Sequence, residues 1–570
     1  MGKLHQGDFY DVVVIGSGIG GLTAGAILSR SGLRVAVMER SDTEGGYLMG
    51  FTRNRFTFDT AIHWLNQCRP CGMVHTIFES LGTDFPEVRV QSRIKRYIGD
   101  DYDYLLTADP DQLKQRLQSD FPEDKSGIER FFRDAKILGN QMHRYGAQIR
   151  SFETMRWWEK AQAGLGAFRF VLPFLKHVRF AGKEGVQRGL KRYFSNPKLR
   201  SLFASERDLL SCLIPIGWAY FGDFQNPPTG GSQTFAGWLA HLIESYGNDV
   251  FYYADVKKVL VENQEVQGVV VNQRGNEYTI KSRYVIAACD LEILYRQLLP
   301  QQPGTNALLD KLQQAELYDS SLTIHVALNK PAADLGFNEE MIFITRQDVA
   351  YEDQTGGDPE KSELLVLSPS FRDPTMAPEG KGAITIFMPA LWEHHQCWKT
   401  EVDERGNRIR GAAYNEFKEK VAQILVKRVG AKLGIDLAAH IEFYEVATPI
   451  THWRYSGNKW GSMMGTRPGK INYQLGVAGY RTPVKNLFIG GHWAELGGGV
   501  PIAAKAGLNA ALCVLREANS EAFKAYVRYL NGAITATEIR NHPVFKPYIS
   551  PWIRRKTPAE LLAERRKGAD

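Results

Sequence analysis

Two glycine-rich stretches stand at opposite ends of the 570-residue chain, with a spacing that could hold a phosphate-bearing ligand. Near the start, "DVVVIGSGIGGLTAGAILSRSGLRVAVMER" sets Gly16, Gly18 and Gly21 in a G-x-G-x-x-G pattern, and Glu39 follows Gly18 by 21 residues. Glycines so placed permit a tight turn and close approach of a pyrophosphate to a helix N-terminus, and the acid suits a ribose hydroxyl pair. Near the end, "FIGGHWAELGGGVPIAAKAGLNAALCVL" carries five glycines between Gly490 and Gly499, ahead of a helix of small residues. Backbone this bare lets a ligand lie almost against the chain.

Such residues need elements to hold them. Val12 to Ile15 reads as a buried strand, Leu22, Ala26 and Ile27 recur at helical spacing, and Val35 to Met38 form a second strand ending at Glu39. That is an α/β, Rossmann-like unit. A second glycine pair, Gly45 and Gly46, follows at once in "SDTEGGYLMGFTRNRFTFDTAIHWL", where a nicotinamide-binding domain would usually continue with another strand and crossover. Further on, Phe235, Leu239, Leu242 and Ile243 share a helix face that Gly247 and Asn248 end. Strand pairs with turns at Asn263 and at Arg274-Gly275-Asn276 come next, and "RYVIAACD" returns to the sheet. The nucleotide domain is therefore expected in three pieces: 8–82, 227–295 and 480–516. Insertions 83–226 and 296–479 would build the substrate side. The last part, 517–570, reads as a helical tail with eight Lys or Arg against three acids from Arg540 onward.

The bulk composition narrows the class. A chain of 570 residues with 44% hydrophobic and 11% aromatic content suits a globular enzyme with an apolar pocket. A net charge of +7 without a concentrated basic stripe does not point to nucleic acid. The opening "MGKLHQGDFYD" lacks the apolar core of a secretory signal, Gln6 stands where myristoylation needs Ser or Thr, and no uncharged run is long enough to span a bilayer. The expected location is the cytoplasmic side, peripherally associated with a membrane surface. Six cysteines fit a reducing compartment; Cys68 and Cys71, flanked by His63 and His75, read as free thiols, a redox pair or a zinc site. No metal is assigned.

One passage is unusual. In "RWWEKAQAGLGAFRFVLPFLKHVRFAGKEGVQRGLKRYF", Trp157, Trp158, Phe168, Phe170, Leu172, Phe174, Leu175 and Phe180 interleave with Arg156, Lys160, Arg169, Lys176, Arg179 and Lys183. The pattern fits an interfacial helix among lipid headgroups, and equally a lid helix packed inward with solvated charges.

Five phrases together resemble the phytoene desaturase, carotenoid isomerase and retinol saturase group of FAD-dependent oxidoreductases. They are the opening glycine motif, "GGYLMGFTRNRFTFDTAIHWL", "PTGGSQTFAGWLAHLIESYGNDV", "ATPITHWRYSGNKWGSMMG" and "LFIGGHWAELGGGVPIAAKAG". "FDTAIHW" is most similar to the saturase and isomerase branches. The resemblance implies a GR2-type FAD domain interleaved with a substrate domain, and a lipophilic polyene as substrate. Its implied cofactor contacts are Gly16, Ser17, Gly18, Gly20, Gly21, Glu39, Arg40, Gly45, Gly46, Tyr47 and Val256, then Gly490, Gly491, Gly498, Gly499 and Val500 at the flavin end. Amine oxidases usually carry Arg directly after the second glycine pair, and here Tyr47 stands there.

Hydrogen exchange with a polyene needs a hydride carrier that side chains cannot supply, so the FAD would carry it. Charge developing on a polyene is delocalised, which removes the need for a strong base. His63, His492 and Glu495 are the candidates near the ring, His63 and Glu495 for catalysis. His63 could equally bond the loop backbone, and Glu495 could cap the following helix. A flavin amine or amino-acid oxidase and a non-catalytic isoprenoid carrier remain the alternatives. The direction of electron flow and its final partner stay open.

Overall fold

The computed structural model describes residues 3–548 and 551–552, apart from 62–64, 146–147, 181, 204–207, 224–227, 300–301, 347, 351–352, 355 and 405–407. The first sheet is built from the apolar runs. In order across it lie Asp249–Phe251, Val35–Met38, Phe9–Ile15, Asn276–Ala287, Glu265–Gln273 and Ala254–Glu262, and Leu487–Ile489 pairs beside the end of Asn276–Ala287. The pairs around Phe9–Ile15 are parallel, with Val14 opposite Val37 on one side and Ile286 on the other. Val12, Val13, Val14, Val35, Ala36 and Val37 have no exposure, as strands covered on both faces require. Asn263 and Gln264, then Arg274 and Gly275, turn the antiparallel strands with positive φ, the backbone that matches strand twist in a tight hairpin.

Three helices close over this sheet. The opening helix, Ile19–Arg30, lies between the helix Gln233–Ser245 and the closing helix Val500–Ala518. The crossing of the opening and closing helices is glycine-tight. A Cβ at Gly20 would stand 2.4 Å from the Gly490 carbonyl oxygen, and one at Gly507 2.1 Å from the Gly20 carbonyl oxygen. The two ends of the chain are thus locked together at backbone contact. The tail adds to the lock: the buried Arg30 guanidinium donates to the carbonyls of Ile539 and Arg540, each at 2.8 Å.

The second sheet draws strands from both insertions. Its order is Ile441–Ala447, Ser320–Leu328, Gly382–Ala390, Leu364–Leu367, Met341–Ile344, Arg93–Ile98 and Asp103–Thr107. Every residue of Ser320–Leu328 is buried. Beside Arg93–Ile98 stands a helical layer with its own apolar core around Phe131, Phe132, Phe194 and Phe203. The passage of interleaved aromatics and cations forms one helix, Trp157–Val178, on this layer. Among the described residues, no helix is long and apolar enough to cross a membrane.

Candidate functional site

The opening strand ends at a turn that only glycine fits. Gly16 has φ +101°, and a Cβ there would meet the Ala288 carbonyl oxygen at 2.9 Å. Gly21 is equally confined, because its Cβ would stand 2.1 Å from the Gly16 carbonyl oxygen. Gly18, between them, has no atom within 4 Å of its Cβ position. The three glycines therefore divide into turn, open approach and helix-to-strand packing.

The second glycine pair sits directly on the first loop. The Gly45 N–H donates to the Ser17 carbonyl at 3.0 Å, and the Gly18 and Gly45 backbones form a parallel bridge. Glu39 is fixed from both sides: one carboxylate oxygen accepts from Ser17 N–H and Oγ at 3.0 and 2.7 Å, the other from Ser41 N–H and Oγ at 2.8 and 2.7 Å. Arg40 reaches across to the carbonyls of Arg454 and Tyr455, at 3.1 and 2.7 Å.

These groups open onto one cleft that runs from the opening loop to the closing one. Of the residues anticipated from sequence, Gly16, Gly18, Gly20, Glu39, Arg40, Gly45, Gly46, Tyr47, Val256, Gly491, Gly499 and Val500 line it. Ser17 and Gly21 act one layer behind. Gly490 and Gly498 are not among the residues that line the cleft: a Cβ at Gly490 would meet Ile286 at 2.3 Å, and one at Gly498 the side chain of Met464, itself a lining residue, at 2.4 Å. His63 lies outside the described residues.

Glu495 neither lines the cleft nor caps the closing helix. Its carboxylate accepts from Tyr480 Oη at 2.5 Å and pairs with the buried Lys505 at 3.2 Å. The helix begins instead at Gly499, φ +85°, with no side-chain cap. The opening helix likewise begins at Gly18 without a side-chain cap. Two unscreened positive helix ends thus face one cleft, the arrangement that favours anionic or electron-rich ligand atoms.

At the closing end the wall is neutral. Tyr47 donates to the Ser462 carbonyl at 2.6 Å, and burial pushes its phenol up to about 12. Burial pushes the His492 imidazole down to about 4, so it is uncharged near neutrality. His492 Nε2 and Trp493 Nε1 are buried in this wall with no hydrogen-bond partner among the described residues. Unpaired buried polar atoms are costly, and a bound ring carrying acceptors and donors would satisfy them. Glycine cradle, open Gly18, paired helix ends and orphaned ring nitrogens together fit a flavin nucleotide.

Several lining residues were not singled out from sequence: Met463, Met464, Tyr455, Ser456, Asn458 and Cys289. The first five belong to the phrase "THWRYSGNKWGSMMG". Its only local sign is glycine spacing, where Gly457, Trp460 and Gly461 all take positive φ, Trp460 at +57°.

Comparison with known proteins agrees with this geometry. A zebrafish (Danio rerio) all-trans-retinol 13,14-reductase is 25% identical over 577 residues, covering 92% of this chain and 89% of the relative. A chloroplastic prolycopene isomerase of an Oncidium hybrid cultivar is also 25% identical, covering 94% and 88%. A solved putrescine oxidase variant from a redesign of cofactor binding matches in fold, with TM-score 0.56 at 15% identity, over 90% of this chain and all of that one (100%). The model of the flavin containing amine oxidoreductases matches residues 19–515, a span that begins just after Gly18 and takes in both insertions and the closing glycine loop. The chain belongs to that flavin-dependent family.

Proposed function

We propose that this protein is an FAD-dependent oxidoreductase acting on a carbon–carbon bond of a long conjugated lipid, by desaturation, saturation or cis–trans isomerisation. The observation that carries the reading is the neutral wall at the closing end of the cleft. Tyr47, Leu48, Met463, Met464, His492 and Trp493 stand there, and the carboxylates lining the cleft, Glu39 and Asp255, are at the Gly18 end. A protonated amine would find no counter-charge among these described groups, whereas a polyene needs none. Retinol and prolycopene, the molecules named for two relatives, are conjugated lipids of this kind.

The dinucleotide form is supported by the lining, which joins residues of the opening glycine loop to residues of the closing one. Gly18, Gly45 and Glu39 would hold the pyrophosphate and ribose, while Gly491, His492, Gly499 and Val500 would border the ring. When bound, FAD supplies a two-electron carrier that exchanges hydride with carbon. The chain's own part is to orient and to exclude water. Met463, Met464 and Trp493 present apolar surface, and Tyr47 keeps its proton toward Ser462.

The test is anaerobic incubation with phytoene-, lycopene- and retinol-type polyenes, with oxidised and then pre-reduced flavin. Desaturation by oxidised flavin moves the polyene band to the red as the yellow bleaches. Saturation by reduced flavin moves it to the blue as the yellow returns. Isomerisation changes the cis band with no net flavin change. Silence on all three, with hydrogen peroxide released from an amine, would replace this reading by an amine oxidase.

A further inference from the structure

The helix Trp157–Val178 presents apolar residues on both of its faces. Inward, Ala163 and His177 are buried, Phe170 and Phe174 pack ring on ring at 4.9 Å between centroids, and Phe174 meets the core of the helical layer. Outward, Leu165, Phe168, Leu172 and Leu175 recur at intervals of three and four, the repeat of one helix stripe. Phe168 is 62% exposed, the three leucines 54–55%, and Trp157 at the helix start 77%. Val171 and Val178 widen the stripe and are exposed as well. A surface rarely leaves so continuous an apolar patch without something that covers it.

Charge decides what covers it. From Lys160 to Lys183 the sequence holds Lys160, Arg169, Lys176, Arg179 and Lys183, and not one Asp or Glu. Glu159, just before, is tied inward to Arg150 at 2.6 Å. Lys176 leans on Asp134 at 2.8 Å while half its side chain stays exposed. Arg156 lies over the Trp158 ring and Arg179 over the Phe180 ring. A second copy would set cations against cations. An anionic bilayer surface instead offers an acyl layer for the stripe, headgroups for the cations and an interface for the paired tryptophans.

We propose that Trp157–Val178 is an in-plane membrane anchor, lying on an anionic bilayer with Leu165, Phe168, Leu172 and Leu175 immersed and Lys160, Arg169 and Arg179 at the headgroups. The anchor is coupled to the cleft domain at its N-terminal end. Ser151 N–H donates to Asn509 of the closing helix at 2.7 Å, and Arg516 of the same helix donates to the Glu153 carbonyl at 2.9 Å. Docking therefore fixes the orientation of the cleft relative to the lipid.

Flotation of the flavin-loaded full chain tests this without reading turnover, so it stands or falls apart from the proposed reaction. Vesicles of phosphatidylcholine alone, or mixed with phosphatidylserine, are the probes. The wild type should float with the anionic vesicles. The triple variant Phe168→Ser, Leu172→Ser, Leu175→Ser should lose at least about tenfold in partitioning. The variant Lys160→Ser, Arg169→Ser, Arg179→Ser should lose about fivefold per cation on anionic vesicles, and not on neutral ones. All three changes in each set are at exposed sites, so flavin absorbance and melting temperature should stay those of the wild type. A wild type that floats with neither vesicle overturns the proposal. So does an apolar triple variant that floats like the wild type, or light scattering that shows a dimer dispersed by that variant without lipid binding.

Discussion

The opening and closing glycine loops look alike in sequence and serve different ends. At the opening loop the glycines fall at fixed places in a motif, and their roles are separate: Gly16 turns, Gly18 stays open to the cleft, Gly21 packs. At the closing loop five glycines crowd into ten positions, yet only Gly491 and Gly499 border the cleft. A Cβ at Gly490 would press on Ile286, and one at Gly498 on Met464, itself a cleft residue. Glycine therefore marks close approach, and only spacing or structure says whether a ligand or the protein itself makes that approach.

The strongest way to break this contrast lies within the opening helix. Gly18→Val puts a branched side chain where nothing stands within 4 Å, so the fold should persist while flavin retention is lost. The flavin-to-protein absorbance ratio should fall to near zero with the apo melting temperature unchanged. Gly20→Ala, two residues on, meets backbone oxygens at 2.4 and 2.9 Å and should cost about 1–3 kcal/mol of stability by urea unfolding. If Gly20→Ala kept full stability, the glycine-tight crossing of the two helices would be wrong.

The loops also differ in their titrating groups. The opening one holds Glu39 between two serines, while the closing one holds His492 neutral by burial. Its imidazole goes from 6.5 in the unfolded chain to about 4 when folded. Between those values the unfolded chain binds a proton that the folded chain refuses. His492 therefore stabilises above 6.5, and that contribution is lost as pH falls toward 4, by at most about 1.4 kcal/mol per pH unit. The stability gap between wild type and His492→Gln should shrink across this window. A constant gap would place the ring in water.

The smallest effects separate two neighbours. Gly499 takes φ +85°, so Gly499→Ala should cost roughly 1–2 kcal/mol and loosen flavin retention. Gly498→Ala presses only on the flexible Met464 side chain and should cost less than about 1 kcal/mol. Reversal of that order would show that the Met464 side chain cannot give way at Gly498.

Sequence alone determined the nucleotide scaffold, because its signals are local. The apolar run Val12–Ile15, helical spacing after Gly21 and the acid ending Val35–Met38 each depend on neighbours within a few residues. The residues around Gly18, Gly45 and Glu39 could be named for that reason. The wall at the other end could not. Met463, Met464 and Tyr455 reach the cleft through contacts distant in sequence, among them Arg40 to the carbonyls of Arg454 and Tyr455 and Tyr47 to that of Ser462, each more than 400 residues apart in the chain. Glu495 sits among glycines in the sequence, and only the fold shows that Tyr480 and Lys505 hold its carboxylate. In the Trp157–Val178 helix the sequence left open which stripe meets protein: Phe174 packs on the core of the helical layer, and Phe168, Leu172 and Leu175 lie outside. Local pattern fixes which element forms; which of its faces meets protein is decided by what the rest of the chain brings against it.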